Sequence, residues 1–240
     1  AMDAQGLDQD KPVIVSGIGC SSRAPGYMDF NTVHTAHGRA LPFATGIKMA
    51  NPELNVIVIT GDGDATAIGG NHFIHAARRN IDLTTIIFDN NIYGMTGGQS
   101  SPLTPQNCRS TTAPFGHIER SFDIAKLSVA AGATYVARGT SFHAKMLTDL
   151  IAKGIANKGF SVIDAISGCP TSFGRKNKMS QPAKMLEWQR DHAVTVQAAA
   201  KLSAEQLADK FLIGELHQEV APEFTDEYAK VVERLKGGRA

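Results

Sequence analysis

The sequence predicts an α/β protein, a mostly parallel sheet with helices on both faces. Three observations carry that expectation. Short apolar, β-branched runs alternate with segments of helical periodicity between residues 12 and 166, the pattern left by successive β-α-β units. Runs such as Val56-Ile57-Val58-Ile59 are apolar without a polar alternation, as in strands buried on both faces. Two of the runs end in Gly- or Asn-rich turns, Gly61-Asp62-Gly63-Asp64 and Asn90-Asn91. In an open α/β sheet such turns lie at the strand ends where ligands bind.

In chain order, residues 12–16 (PVIVS) form a buried strand closed by Gly17 and Gly19, and residues 19–27 a loop dense in small residues. Residues 37–49 (HGRALPFATGIKM) are Ala- and Gly-rich and predict a tightly packed helix, weakened by Pro42 and Gly46. A strand follows over 55–60 and a helix over 65–80, with Ile68, Phe73, Ile74 and Ala77 on one face. Arg78 and Arg79 sit near that helix's C-terminal end, where the dipole favours cations. Residues 83–88 give the third strand. The loop from 90 to about 118 holds Pro102, Pro105 and Pro114, and a loop of that length in a compact domain is usually functional. Helices over 123–131 and 143–157 and strands over 134–137 and 160–166 complete the alternation. After about Thr171 the composition turns charged and helical with no further strand expected. The expected organisation is therefore an α/β domain over 1–171 and a helical C-terminal extension over 172–240.

Bulk properties narrow the function. A chain of 240 residues, 42% hydrophobic and 20% charged with a net charge of +1, is globular and offers no field for nucleic acid or a membrane surface. No apolar run approaches the roughly 18 residues that span a bilayer, and the first residues lack signal-peptide regions. A cytoplasmic location is expected. Cys20, Cys108 and Cys169 are scattered and contain no CxxC. They argue against a disulfide framework and cannot alone build a zinc or iron–sulfur site. Buried free thiols remain, or a site completed from elsewhere.

Asp62 and Asn90 lie 28 residues apart, each just past an apolar strand. If those strands are neighbours, a carboxylate and an amide oxygen converge. With a backbone carbonyl they suit a hard cation such as Mg²⁺, which completes its octahedron with phosphate oxygens and water. Gly61 and Gly63 let the backbone approach, and the next helix offers free N–H groups to an anion. The dipole contributes only about 0.3–2 kcal/mol, so the metal must neutralise most of a diphosphate. GxxxxGK is absent, which argues against a P-loop, and GDGDATAIGG is not GxGxxG. GDG alone would be an ordinary turn; GDG with the Asn90 turn is a site.

The run GDGDATAIGGNHFIHAARRN, followed by DNNIYGMTGGQSSPLTP, resembles the thiamine diphosphate motif GDG…N. With VSGIGCSSRAPGY, HTAHGRALPFATGIKMANPEL, AAGATYVARG and KGFSVID it is similar to the β subunit of 2-oxoacid:ferredoxin oxidoreductases, most closely the 2-oxoglutarate type, over about residues 7–190. The resemblance implies Mg²⁺ held by Asp62, Asn90 and the Ile92 carbonyl. It places Gly61, Gly63, Asp64 and the Thr96-Gly97-Gly98 turn around the diphosphate of thiamine diphosphate. It implies decarboxylation of a 2-oxoacid, transfer of the acyl group to coenzyme A, and electrons passed through a [4Fe–4S] cluster to ferredoxin. It also implies a partner α subunit that supplies the activating glutamate, in an αβ or (αβ)₂ assembly.

In this pattern Cys20 and Cys169 match two cluster ligands, and the CxxC pair of the family has no counterpart. Ala1 to Lys11 resembles the end of the helix that follows the pair, so the expectation is that the pair lies upstream. His34 and His37 in HTAHGR are candidates for proton transfer or diphosphate contact, and equally for structural hydrogen bonding. His72 and His75, one helical turn apart, read as structural. Arg23 and Arg39 suit a carboxylate or phosphate, Met95 suits the substrate pocket, and Arg175 and Lys176 read as solvated charges. Two other readings stay open: a non-redox thiamine diphosphate decarboxylase or acyl transferase, which the absent CxxC would permit, and a cofactor-binding scaffold subunit.

Overall fold

The structure, a computed structural model, describes residues 1–2 and 6–237. Its strands are β1 (Pro12–Ser16), β2 (Asn31–His34), β3 (Asn55–Gly61), β4 (Leu83–Asp89), β5 (Ile92–Tyr93), β6 (Gln99–Ser100), β7 (Tyr135–Thr140), β8 (Phe160–Ile166), β9 (Ala193–Thr195) and β10 (Phe211–Gln218). Its helices are α1 (Ala40–Ala50), α2 (Gly70–Arg78), α3 (Ile124–Ala131), α4 (Ala144–Ala156), α5 (Pro182–His192), α6 (Val196–Ala199), α7 (Ala204–Leu207) and α8 (Phe224–Gly237). Eight strands form one sheet in the order β2-β1-β3-β4-β8-β7-β10-β9, and β5 and β6 form a separate small hairpin. All neighbours in the large sheet are parallel except β7 and β10.

The strands bury both faces because successive side chains point to opposite sides. Val13, Val15, Val56, Val58 and Val162 pack on one side with Leu41 and Ala44 of α1, Phe73 and Ala77 of α2, and Ile124 of α3. Ile14, Ile57, Ile59 and Ile163 pack on the other side with Leu150, Leu147 and Ile151 of α4. Phe73 and Phe160, both fully buried, meet edge to face with centroids 5.8 Å apart. Truncating either to Ala would cost about 3–5 kcal/mol.

Charge ties the ends of the elements together. Asp123 caps α3, accepting from the Ala125 and Lys126 N–H groups, and Gly132 closes the helix at φ 97°. The Arg138 guanidinium on β7 donates to Asp123 Oδ1 and to Asp164 Oδ2 on β8, each at 2.7 Å.

Several segments differ from expectation, among them the loop expected from 90 to about 118, which carries the β5–β6 hairpin. The helix expected over 65–80 begins instead as a π-helical turn at Asp64–Ile68, followed by α2. Such turns inside helices recur at functional sites. Strand β2, short and largely exposed, was not expected. The expectation of no strand after Thr171 is corrected: β10 pairs with β7 from Tyr135 to Arg138 and carries β9 with it. Gly214 at φ 112° and a bulge between Glu215 and His217 break the period of two in β10, which conceals it in the sequence. The C-terminal end is nevertheless helical in α5 to α8. No helix among the described residues is long and apolar enough to cross a membrane.

Candidate functional site

Strands β3 and β4 are parallel neighbours, with Gly61 opposite Phe88. The turns that follow them therefore open at the same edge of the sheet. Between them lies a cleft of about 440 Å³, and Asp62, Asn90 and Ile92 all line it. Gly61, Gly63, Asp64, Thr96, His37, Cys20 and Met95 line it as well.

Asp62 is buried at 3% exposure. Its Oδ2 accepts the Ser101 hydroxyl, and no lysine or arginine pairs with it among the described residues. Burial pushes its carboxyl up to about 7, against the Ser101 and backbone hydrogen bonds that favour the anion. A buried carboxylate without a cation, beside an amide and a carbonyl oxygen, fits a hard divalent metal. The Asn90 side chain is oriented by its own turn, where Oδ1 accepts the Ile92 N–H at 3.3 Å. Asn91 takes the left-handed conformation at φ 62°, which Asn tolerates better than most residues. Tyr93 donates its hydroxyl to the Gly63 carbonyl at 3.2 Å and so ties the second turn to the first.

Not every expected residue reaches the cleft. His34 sits at the edge of the sheet on β2, where Nδ1 meets Ser16 Oγ at 3.0 Å. Gly97, at φ 122°, lies beside the lining, and its carbonyl accepts Thr111 Oγ1 at 2.6 Å. Thr96 lines the cleft and its hydroxyl donates to Gln99 Oε1 at 2.8 Å. His75 is exposed and His72 half-buried on α2, and the Arg39 guanidinium donates to the Ile68 and Gly38 carbonyls. Ser101 and Tyr93 are site residues that the sequence did not single out. They come from the long loop after Asn90, and no spacing links them to Asp62 or Gly63.

Two of the three cysteines converge. A Cβ on Gly94 would lie 3.2 Å from Cys20 Sγ and 3.3 Å from Cys169 Sγ, so both sulfurs close on the same glycine. Burial and then the neighbouring Cys169 push the Cys20 thiol up. Cys108 is a half-buried free thiol packed against the cluster of Ile92, Cys169, Phe173 and Met185. Two thiolates are half the ligand set of a [4Fe–4S] cluster, and no group of three or more His, Cys, Asp or Glu converges among the described residues.

Residues 17–165 match the family described as "Thiamine pyrophosphate enzyme, C-terminal TPP binding domain". The chain is 51% identical over 236 residues to the 2-oxoglutarate synthase subunit KorB of Methanothermobacter marburgensis, covering 98% of this chain and 83% of the relative. It is 50% identical to the subunit of the same name in Methanocaldococcus jannaschii, covering 98% and 87%. A solved 2-oxoglutarate:ferredoxin oxidoreductase from Magnetococcus marinus, with 2-oxoglutarate, coenzyme A and succinyl-CoA bound, superposes with a TM-score of 0.87 at 36% identity. That match covers 98% of this chain and 81% of the other.

Proposed function

Because the chain belongs to the thiamine diphosphate-binding β subunits of the 2-oxoacid:ferredoxin oxidoreductases, we propose that its cleft holds Mg²⁺ and the cofactor's diphosphate through Asp62, Asn90 and the Ile92 carbonyl. The subunit serves the oxidative decarboxylation of a 2-oxoacid, with acyl transfer to coenzyme A and electrons delivered to ferredoxin. The names of the relatives support 2-oxoglutarate as the 2-oxoacid.

The observation that carries the metal reading is the buried, unpaired Asp62 on the same cleft as Asn90 and Ile92. When bound, thiamine diphosphate supplies the carbanion nucleophile and electron sink for the keto carbon. The protein's part is to hold, orient and keep water out. Ser101 aims the Asp62 carboxylate, the Asn90 turn presents an amide oxygen, and Tyr93 locks the two turns at one spacing. Gly61 and Gly63 carry backbone close to the diphosphate, with Thr96 and Gly97 on the opposite turn. Residues 1–171 carry this site and residues 172–240 extend from it.

Cys20 and Cys169, both against Gly94 at the cleft, supply two thiolates of the electron-accepting [4Fe–4S] cluster, the other two coming from outside the described residues. Ile18 and Met95 line the cleft yet remain 44% and 51% exposed, which supports cover by the α subunit in an αβ or (αβ)₂ assembly. Asp62→Ala is the direct test. Calorimetry of the complex is expected to find Mg²⁺-dependent thiamine diphosphate affinity abolished, and an unchanged affinity would refute the ligand assignment. Iron and acid-labile sulfide measured on the intact complex test the cluster; their absence would leave the non-redox reading.

A further inference from the structure

Two carboxylates follow each other in the turn after β3, equally buried on the same cleft, and their partners differ. Asp62 accepts the Ser101 hydroxyl and backbone N–H groups, has no cation against it and lines the cleft. Asp64, 3% exposed, is engaged on both oxygens. Its Oδ2 accepts Thr60 Oγ1 at 2.8 Å, and its Oδ1 accepts the Gly38 N–H at 2.6 Å. The Ile18 N–H approaches Oδ1 more distantly, at 3.5 Å. The fold is shaped around this carboxyl group. A Cβ on Gly17 would overlap it, and Gly38 takes φ 70° so that its N–H can turn inward. A diphosphate gains nothing from a carboxylate so engaged, since like charges repel and both oxygens already hold protein donors.

What Asp64 does face is His37. Nδ1 of His37 lies 2.6 Å from Asp64 Oδ1, an ion-pair contact whose angle is too bent for a hydrogen bond. Two lone pairs would not approach so closely, so the proton belongs on Nδ1. Nδ1 is fully buried while 37% of the His37 side chain is exposed. The ring's open edge is therefore the one carrying Nε2, and His37 lines the same cleft as Asp62 and Asn90. The ring also packs edge-on to Tyr93, with centroids 6.0 Å apart.

From this geometry we infer that Asp64 is the positioning residue of His37 and no ligand of the cofactor: it keeps the proton on Nδ1 and offers Nε2 to a molecule in the cleft. His37 then makes the contact with the 2-oxoacid or its adduct, and Asp64 acts through it. The Gly38 and Thr60 bonds anchor Asp64 from two other elements, so the pair is held by β3 and by the turn before α1 together. The inference rests on the proposed function, because it presumes cofactor and 2-oxoacid in this cleft.

The experiment is a double-mutant cycle in the assembled αβ complex, with 2-oxoglutarate decarboxylation and thiamine diphosphate calorimetry as the two readouts. Asp64→Asn is expected to leave Mg²⁺-dependent cofactor affinity within about threefold while kcat falls about tenfold or more, with a smaller change in KM. The double variant Asp64→Asn/His37→Gln is expected to be no slower than His37→Gln alone. Multiplicative losses in the double variant, or a cofactor affinity reduced more than about tenfold by Asp64→Asn, would overturn the inference. If Asp64→Asn does not fold, Thr60→Val removes one of the anchors. It is expected to lower kcat about two- to fivefold at unchanged cofactor affinity, and no change in kcat would count against the inference. Failure of the wild-type complex to bind cofactor or release CO₂ would instead sink the functional reading, which keeps the two failures apart.

Discussion

Replacing Arg138 with Met removes the cation on which the buried carboxylates at the cleft end of the sheet depend. Arg138 is 12% exposed and Asp164, its partner on β8, is 1% exposed. Asp164 Oδ1 has no hydrogen-bond partner, so the guanidinium on Oδ2 is what compensates its charge. Burial still holds the Asp164 carboxyl above the usual carboxylate range despite Arg138. Burial and then Asp164 and Asp62 push Asp89, next to the proposed metal ligand Asn90, well up, and Arg138 opposes that rise. Arg138→Met keeps the apolar stem and deletes the charge, leaving an uncompensated buried carboxylate. The cost expected is about 3–5 kcal/mol. At about 2–4 °C per kcal/mol for a chain of this size, Tm should fall by about 6–20 °C. The sign of the pH dependence follows from linkage. Without Arg138, the folded-state value of Asp164 rises further above the unfolded one, so the native state keeps a proton that the unfolded state has lost. Stability of the variant therefore falls as pH rises through that window, and its deficit against wild type is larger at pH of about 8 than at about 5. Urea denaturation at the two pH values measures both quantities. A deficit below about 1 kcal/mol, or one independent of pH, would refute the reasoning.

Glu223 caps the entry to α8, its carboxylate accepting the Asp226 N–H at 2.9 Å, the Asp82 N–H at 3.0 Å and the Thr225 hydroxyl. Burial would raise it, but these hydrogen bonds hold it below the usual glutamate range. Glu223→Gln is expected to cost about 2 kcal/mol at neutral pH. The gap to wild type should close as pH falls below about 4.3 and through the lowered folded value, by chemical denaturation; a gap constant with pH would contradict it. Gly94→Ala acts by crowding alone, because its φ is ordinary and the new methyl would press on Cys20 Sγ and Cys169 Sγ at 3.2 and 3.3 Å. Iron and sulfide per complex are expected to drop by about half or more. Unchanged content would remove Gly94 from the cluster's surroundings.

The parts of this protein legible in sequence are those in which local pattern and topology say the same thing. Strand β8 stands where its apolar run places it, and β3 is longer by one residue. Parallel neighbours then bring the Asp62 and Asn90 turns to one edge, so two residues 28 apart can be paired from their strand ends alone. What stayed hidden depends on contacts with no local signature. Ser101 reaches Asp62 across 39 residues, from a loop whose serines and threonines all look alike. Strand β2 has four residues at an exposed edge, too few for a periodicity, and β10 loses its alternation at Gly214 and the following bulge.

Arg138 and Asp164 are a different case, because their signal was present. Each is the one charged residue of a buried strand, YVARGT and FSVIDAI. Charged residues are almost never fully buried unless paired, so two such residues on neighbouring strands predict each other. The same rule separates Asp62 from Asp64. Both stand in one tetrapeptide and both are buried, yet Asp64 has His37 against it while Asp62 has hydrogen bonds and no cation. A buried carboxylate with its partners in place is architecture or positioning, while one left without a cation marks where a cation from outside the chain belongs. On that criterion Asp62 is the proposed centre of a metal site in this cleft, and the second aspartate of the motif is the inferred partner of the histidine beside it.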